Sequence, residues 1–365
     1  MGKKEGKYDN DFSVADELPL DTCYENGCSD PALKDLAGEI PELLTFSRAP
    51  STIKGYGAAY KRWRKWTDDF PEITPLPATG LHLVLYLLHL AQKNITYQVI
   101  VQAVASIKWA HALAGLSSPS NNVFVKEALI SLRRKLARPT VRKKPIDLTH
   151  IHDLIDNLQI ENVTDVRNTT IIVLAFFALL RSDEIRKLKL GDIEFAVNHV
   201  TLHIRSSKCD QLRSGDTVLI AKLGGKYCPI KLLEKYLNFI GKNISHKANS
   251  EIFLFRRVST KATGKSLDET NLSLTYSNVR DIVKRKLGKL GLDANSYGTH
   301  SMRAGGATIA ANNNISDRLL QRHGRWAGAS SANRYLEDNV HQKLAVSRVI
   351  GANQKKKRNQ KEKIK

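Results

Sequence analysis

Between residues 300 and 335 the chain carries His300-Ser301-Met302-Arg303, then Gly324-Arg325-Trp326, then Tyr335. Those residue types suit chemistry at one phosphodiester. A tyrosine hydroxyl can attack phosphorus and hold the product covalently, while cationic and hydrogen-bonding groups grip the non-bridging oxygens. An acid must then protonate the departing sugar oxygen. A free phenol ionises near pH ~10, so an attacking tyrosine needs cations or a base beside it. Arginine meets that need and also matches two oxygens of a phosphate with its planar fork, which lysine cannot reproduce. Upstream, Leu180-Arg181-Ser182-Asp183-Glu184-Ile185 supplies a second arginine and Ser206-Ser207-Lys208 a lysine. Glu184 stands three residues after Arg181, so on a helix its carboxylate can orient the guanidinium from behind. Trp326 donates an N–H but accepts no proton, which confines it to binding and packing. No cluster of acids suited to Mg²⁺ accompanies the set, and two-metal nucleases need several. No metal and no cofactor is therefore expected. Any one of Arg181, Lys208 or Tyr335 alone reads more readily as a surface residue than as a catalyst; order and spacing give the set its meaning.

Such a set needs a scaffold, and 365 residues are enough for two domains. The formal net charge is +21 and the pI near 9.8, far beyond what solubility requires. Residues 1–43 hold eleven acids and four bases, a net −7, so the remainder carries +28. The reading is an acidic, disordered tail over residues 1–44 ahead of a basic body that binds a polyanion, double-stranded DNA above all. A merely solvated surface, or an acidic membrane surface, is the alternative from charge alone. The apolar run 81–88 is too short to cross a bilayer, which needs about 20 residues, and no secretory signal opens the chain, so no membrane partner is expected. Four cysteines (Cys23, Cys28, Cys209, Cys228) make no disulfide framework at this length, which suits a reduced, intracellular setting.

Residues 45–137 read as four helices. Ile53, Tyr56, Tyr60, Trp63 and Trp66 recur at intervals of three and four, with Lys54, Lys61, Arg62, Arg64 and Lys65 between them. That is a helix with an aromatic inner face and a cationic outer one. Three more helices follow, at about Thr79–Asn94, Thr96–Ala114 and Asn122–Leu136. The stretch 133–145, with Arg133, Arg134, Arg138, Arg142, Lys143 and Lys144 among prolines, suits a linker (138–146) laid along a duplex backbone. Residues 147–350 read as mixed α/β. Helices are expected near Thr149–Asn157 and Ile171–Leu180, then strands at Asp192–Phe195, His199–Arg205 and Asp216–Ile220. Further helices are expected at about Ile230–Ile240, Ser277–Lys289, Met302–Asn312, Ile315–His323 and Ser331–Val340. Residues 351–365 form a basic tail, either a nuclear import signal or a non-specific DNA arm.

Taken in order, the set resembles the catalytic pattern of the tyrosine recombinases, the phage integrase family. The nine residues from Trp326 to Tyr335 equal that family's spacing between its histidine-or-tryptophan position and its nucleophile. His323 stands twelve before Tyr335 and breaks the spacing. The resemblance implies a helical core-binding domain that clamps DNA, then a mixed α/β catalytic domain, the whole mainly α with a small β-sheet. Tyr335 then forms a 3′-phosphotyrosyl link, Arg181 and Arg303 hold the scissile phosphate, and His300 hydrogen-bonds it. Lys208, at a hairpin tip, is the general acid, with Lys222 and Lys226 as weaker alternatives. The resemblance further implies a dimer or tetramer on DNA, coupled through a C-terminal helix over Leu336–Ile350 that otherwise packs in cis. The acidic leader, long hinge and basic end look more like recombinases of eukaryotic mobile elements, which are nuclear, than like bacterial chromosome-resolving ones. Two rival readings remain: a type IB topoisomerase-like relaxing enzyme, and a domesticated DNA-binding protein that no longer cuts.

Overall fold

A computed structural model describes residues 29–45, 47–139, 141–205, 215–241, 249–261, 264–267 and 270–351. They fall into two compact units, divided between Thr140 and Val141.

The first unit is built on aromatic helix packing. Helix α1 (Pro31–Thr45) corrects the reading of residues 1–44 as a disordered tail. Pro31 sits at its start, and the Asp30 carboxylate accepts from the Ala32 N–H at 2.8 Å, which opens the helix inside the acidic stretch. Residues 1–28 lie outside the described residues. Helix α2 (Pro50–Thr67) buries Tyr60, Trp63 and Trp66. Both tryptophans stand 5.1 Å from the ring of Tyr86 on α3 (Gly80–Gln92). α2 also lies along α4 (Tyr97–Leu113), where the Ser106 hydroxyl donates to the Tyr56 carbonyl at 2.6 Å. Helix α5 (Val123–Lys135) closes the group, capped by Asn122. Outside the aromatic seam, Lys54, Lys61, Arg62 and Lys65 are exposed and Arg64 is half-buried.

The second unit wraps a central helix. α7 (Val163–Phe177) is apolar from Ile171 onward and buried along nearly its whole length, its first half including the buried polar residues Asp165, Arg167 and Asn168. Against it pack α6 (Leu148–Asp156), α9 (Pro229–Ile240), α10 (Tyr276–Lys289) and α11 (Ser301–Asn312). Between α7 and α9 come the short α8 (Ser182–Lys187) and an antiparallel sheet of β1 (Ile193–Phe195), β2 (His199–Ile204) and β3 (Asp216–Ala221). Its register pairs Ile193 with Leu202 and Val200 with Ile220, so alternate apolar residues face the core. A second hairpin, β4 (Val258–Lys261) with β5 (Gly264–Leu267), has no counterpart in the sequence reading.

α11 meets α7 at van der Waals limits. A Cβ on Gly305 would lie 1.9 Å from the Ile146 carbonyl oxygen, and one on Gly306 2.3 Å from that of Phe176. Only glycine permits this approach. The chain entering the unit is not a free linker throughout: Lys144 N donates to Ser296 O at 2.8 Å and Ile146 N to Ser301 O at 3.0 Å. Arg138 binds the carbonyl and side-chain oxygens of Asn94 at 2.9 and 2.5 Å, and Lys143 donates to the Asn295 carbonyl. Arg133, Arg134, Arg142 and Lys144 are exposed.

The last helices depart most from expectation. α12 (Asp317–Gly324) is followed by α13, which spans only Ala329–Asn333. Residues 336–339 are not helical, although periodicity extends a helix over Ser331–Val340. Side chains of α11 take over their backbone groups. Thr308 Oγ1 donates to Tyr335 O and accepts from Glu337 N, both at 3.2 Å, and Asn312 binds Glu337 O and Asn339 N. Helix α14 (Val340–Lys343) and helical residues 345–351 follow. The basic tail beyond 351 lies outside the described residues.

Candidate active site

Four chain segments converge on a cluster of guanidinium groups. α7 ends without glycine: Leu179 takes a left-handed conformation (φ 47°), and Leu180 N reaches back to Ala175 O at 3.0 Å. That reversal delivers Arg181 to the start of α8. Glu184, one turn on and buried, receives the Arg181 N–H at 2.8 Å on one oxygen and its Nη1 at 2.7 Å on the other. Its second ion-pair partner is Arg325, whose Nη2 lies 2.8 Å from Glu184 Oε2. Burial works to raise the Glu184 pKa, but Arg325 and Arg181 outweigh it and hold the carboxyl below its ordinary value.

Arg325 repeats the device at the end of α12. It too is left-handed (φ 54°), where glycine is the usual helix terminator, and Trp326 N bonds back to Gln321 O at 3.0 Å. The buried side chain also donates to the carbonyls of His323 at 2.9 Å, Leu179 at 3.0 Å and Ala178 at 3.3 Å.

Arg303, on the first turn of α11, is fully buried. Its Nη1 and Nη2 donate to the carbonyls of Leu179 and Gly324. The guanidinium lies 4.2 Å from the Trp326 ring and 5.3 Å from that of Tyr335, a cation–π stack. Burial, with Arg181 and Arg325 nearby, lowers its pKa to about 9 against the pull of Glu184 and Tyr335, so the charge remains at neutral pH. Gly324 makes room for the stack, since a Cβ there would strike the indole at 1.9 Å. Tyr335 packs 5.5 Å from Trp326 and 5.9 Å from His300, and its hydroxyl stands 3.4 Å from His300 Nδ1. Arg303 Nε, Arg325 Nε and Trp326 Nε1 are buried donors that find no hydrogen-bond acceptor among the described residues. Two cations paired with one carboxylate and a third beside them, with donors to spare, leave a surplus of positive charge next to the Tyr335 ring that suits an anion. Among the described residues no group of three His, Cys, Asp or Glu is placed to hold a metal, and no helix is long and apolar enough to cross a membrane.

The family model described as the phage integrase family matches residues 145–342, more than half of the chain. The chain belongs to the phage integrase family. Family members are tyrosine recombinases, enzymes of DNA strand transesterification. An integrase/recombinase xerD homolog of Selenomonas ruminantium is 27% identical over 311 residues, covering 84% of this chain and 87% of its own. Recombinase cre of Escherichia phage P1 is 21% identical over 343 residues, with 91% and 95% covered. Among solved structures, XerH site-specific recombinase bound to its difH substrate aligns at a TM-score of 0.52 and 14% identity, covering 87% of this chain and 91% of that one. The Tn1549 transposon integrase in complex with a circular intermediate DNA aligns at 0.50 and 14%, covering 91% and 99%. Both share the fold of this phage integrase.

Within this phage integrase fold, Arg181, Glu184, His300, Arg303, Trp326 and Tyr335 come together from positions more than 150 residues apart. Arg303 departs from expectation in one respect: both arms of its fork are taken by carbonyls. Lys208 lies outside the described residues, in the connection between β2 and β3. Of its alternatives, Lys226 is paired with Asp156 at 2.8 Å, and Lys222 is exposed just beyond β3. His323 donates from Nε2 to Phe177 O at 2.8 Å; burial depresses its pKa and leaves it a neutral packing group. Arg325 is the residue that spacing missed. Its only sequence signal is a large cation where a helix-ending glycine is usual.

Proposed function

We propose that the chain is a site-specific DNA recombinase that cuts and rejoins strands through a 3′-phosphotyrosyl link at Tyr335. The observation that carries the reading is the Tyr335 hydroxyl beside His300 Nδ1, over a stack of Trp326 and Arg303 that adjoins the Arg181–Glu184–Arg325 network. In the forward step Tyr335 Oη forms a bond to phosphorus and the bond to the 5′ oxygen breaks. The tyrosine proton passes toward His300, and the leaving oxygen takes a proton from a general acid, the role that resemblance to the family gives Lys208. A second strand's 5′-hydroxyl reverses the exchange. One phosphodiester replaces another, so no ATP is consumed. Arg181 and the spare donors Arg303 Nε and Trp326 Nε1 stabilise the charge that grows on the non-bridging oxygens. Preorganised donors of this kind are each worth on the order of 10²–10³ in rate.

The first unit serves as the DNA clamp in this reading, with Lys54, Lys61, Arg62, Arg64 and Lys65 on the outer side of α2 and Arg133, Arg134 and Arg142 on phosphates. Assembly into a dimer or tetramer on DNA uses the C-terminal segment, whose Val340, Leu344, Val346, Val349 and Ile350 are exposed. The test is a library of nicked suicide duplexes incubated with wild-type and Tyr335→Phe protein, in chelator and without ATP, and resolved on a denaturing gel. A covalent band in wild type alone supports the reading. Salt-sensitive duplex binding with no band from either protein points to a non-cleaving DNA-binding protein. Relaxation of supercoiled DNA without strand exchange points to a topoisomerase.

A further inference from the structure

Arg303 and Arg325 share an acceptor. Both donate to the carbonyl of Leu179, the left-handed residue that turns the chain from α7 toward Arg181. Arg303's second arm is held by Gly324 O, the residue just before Arg325. In this arrangement Arg303 has no free arm for a phosphate, only its unpartnered Nε. An arm that turns to a phosphate oxygen must leave a buried carbonyl behind, and a buried carbonyl stripped of its donor is costly. At Leu179 that cost is already covered, because Arg325 Nη2 sits 3.0 Å from the same oxygen.

Resting on the recombinase reading above, we propose that Arg325 is a positioning residue for strand cleavage. It keeps the Leu179 carbonyl satisfied and Glu184 anchored while Arg303 turns an arm toward the scissile phosphate. Three contacts make it suited to this. Its second carbonyl bonds, to Ala178 and His323, tie the end of α7 to the end of α12. Its ion pair with Glu184 Oε2 leaves Oε1 for Arg181 Nη1, so one carboxylate holds both guanidinium groups in register. Its left-handed backbone ends α12, and its side chain reaches Leu179 O and Glu184 while Trp326, the next residue, stacks on Arg303. Lysine keeps the charge but has no fork, so it cannot serve the carboxylate and three carbonyls together.

The experiment compares wild type, Arg325→Lys, Glu184→Gln and the double variant on one nicked suicide duplex that wild type cleaves. Single-turnover cleavage, duplex Kd and melting temperature are measured for each. The expected result for Arg325→Lys is a Kd within about twofold of wild type and a cleavage rate lower by about ten- to a hundredfold at a temperature far below melting. The double variant should cleave no more slowly than the slower single one, because both substitutions break the same linkage. A purely structural role would lower the melting temperature and leave the rate of the folded fraction intact. A wild-type rate in folded Arg325→Lys, or losses that multiply in the double variant, would overturn the proposal. If Arg325→Lys fails to fold, Glu184→Gln decides alone: unchanged cleavage sinks the idea, and a slowed rate at unchanged Kd supports it. Absence of a covalent band from wild type across the library would instead defeat the recombinase reading itself.

Discussion

Gly305→Ala is the sharpest perturbation of the site that touches none of its reacting groups. The added Cβ would sit 1.9 Å from the Ile146 carbonyl oxygen, 2.9 Å from its carbon and 3.0 Å from Phe176 Cε2. Ordinary contact begins at 3.4 Å, so α11 must withdraw from residue 146 by about 1.5 Å, and the obstacle is backbone whose own N–H is bonded to Ser301 O at 3.0 Å, so it yields poorly. Overpacking of this kind costs up to about 3 kcal/mol, and alanine's better helix propensity returns about 1. The net loss is about 2 kcal/mol, which for a unit of roughly 200 residues lowers Tm by about 4–8 °C. Arg303 is two residues away on the same helix. A 1 Å misplacement near reacting groups can cost on the order of 10²-fold in rate, so cleavage of the suicide duplex should fall by about that factor while Kd changes little. Gly288→Ala in α10 is the control: its Cβ would meet only Ala294 at 3.8 Å, and it should melt at or slightly above wild type. A Gly305→Ala protein that melts with wild type and cleaves within twofold of it would refute the close-packing argument.

Other expectations concern the buried charges. Lys286 Nζ binds both Asp165 oxygens at 3.0 and 3.1 Å, and both side chains are almost entirely buried. Asp165→Ala should destabilise the second unit by about 3–5 kcal/mol in denaturant unfolding, whereas Asp165→Leu with Lys286→Met should cost far less, because no lone charge stays behind. A single-variant loss below 1 kcal/mol would count against the pair being desolvated. Glu184 gives a pH signature. Its folded pKa is depressed, so its stabilisation is complete above the ordinary glutamate value and is lost as pH falls through the lower folded value. Stability measured from pH 7 downward should therefore fall less steeply below about pH 4.5 in Glu184→Gln than in wild type. Parallel curves would show that Glu184 keeps no pKa shift in solution.

The helices of the first unit were legible because Tyr60, Trp63 and Trp66 carry an unbroken helical period and Asn122 caps where a cap is expected. Residue type and order singled out Arg181, Glu184, His300, Arg303, Trp326 and Tyr335, which the fold brings together, while Lys208 lies outside the described residues. What escaped was whatever depends on tertiary competition. No glycine holds the left-handed positions that follow α7 and α12, which are Leu179 and Arg325, so periodicity runs the first of these helices on to Leu180. Residues 336–339 keep a helical pattern yet give up their backbone groups to Thr308 and Asn312, side chains about 25 residues away in sequence. Arg303 was expected to offer its fork to a ligand, and only the folded chain reveals two carbonyls already in it. The helix α1 was hidden by its acidic setting, since net charge outweighs period when a short segment is judged alone.

The chain's entry into the second unit has a mechanical consequence. Lys144 and Ile146 are pinned to Ser296 and Ser301, and the Ile146 carbonyl fills the notch left by Gly305. The tether from the first unit is thus moored to the helix that bears Arg303 and not to the periphery. The residue to which Ile146 is bonded, Ser301, stands two positions before that arginine on the same helix.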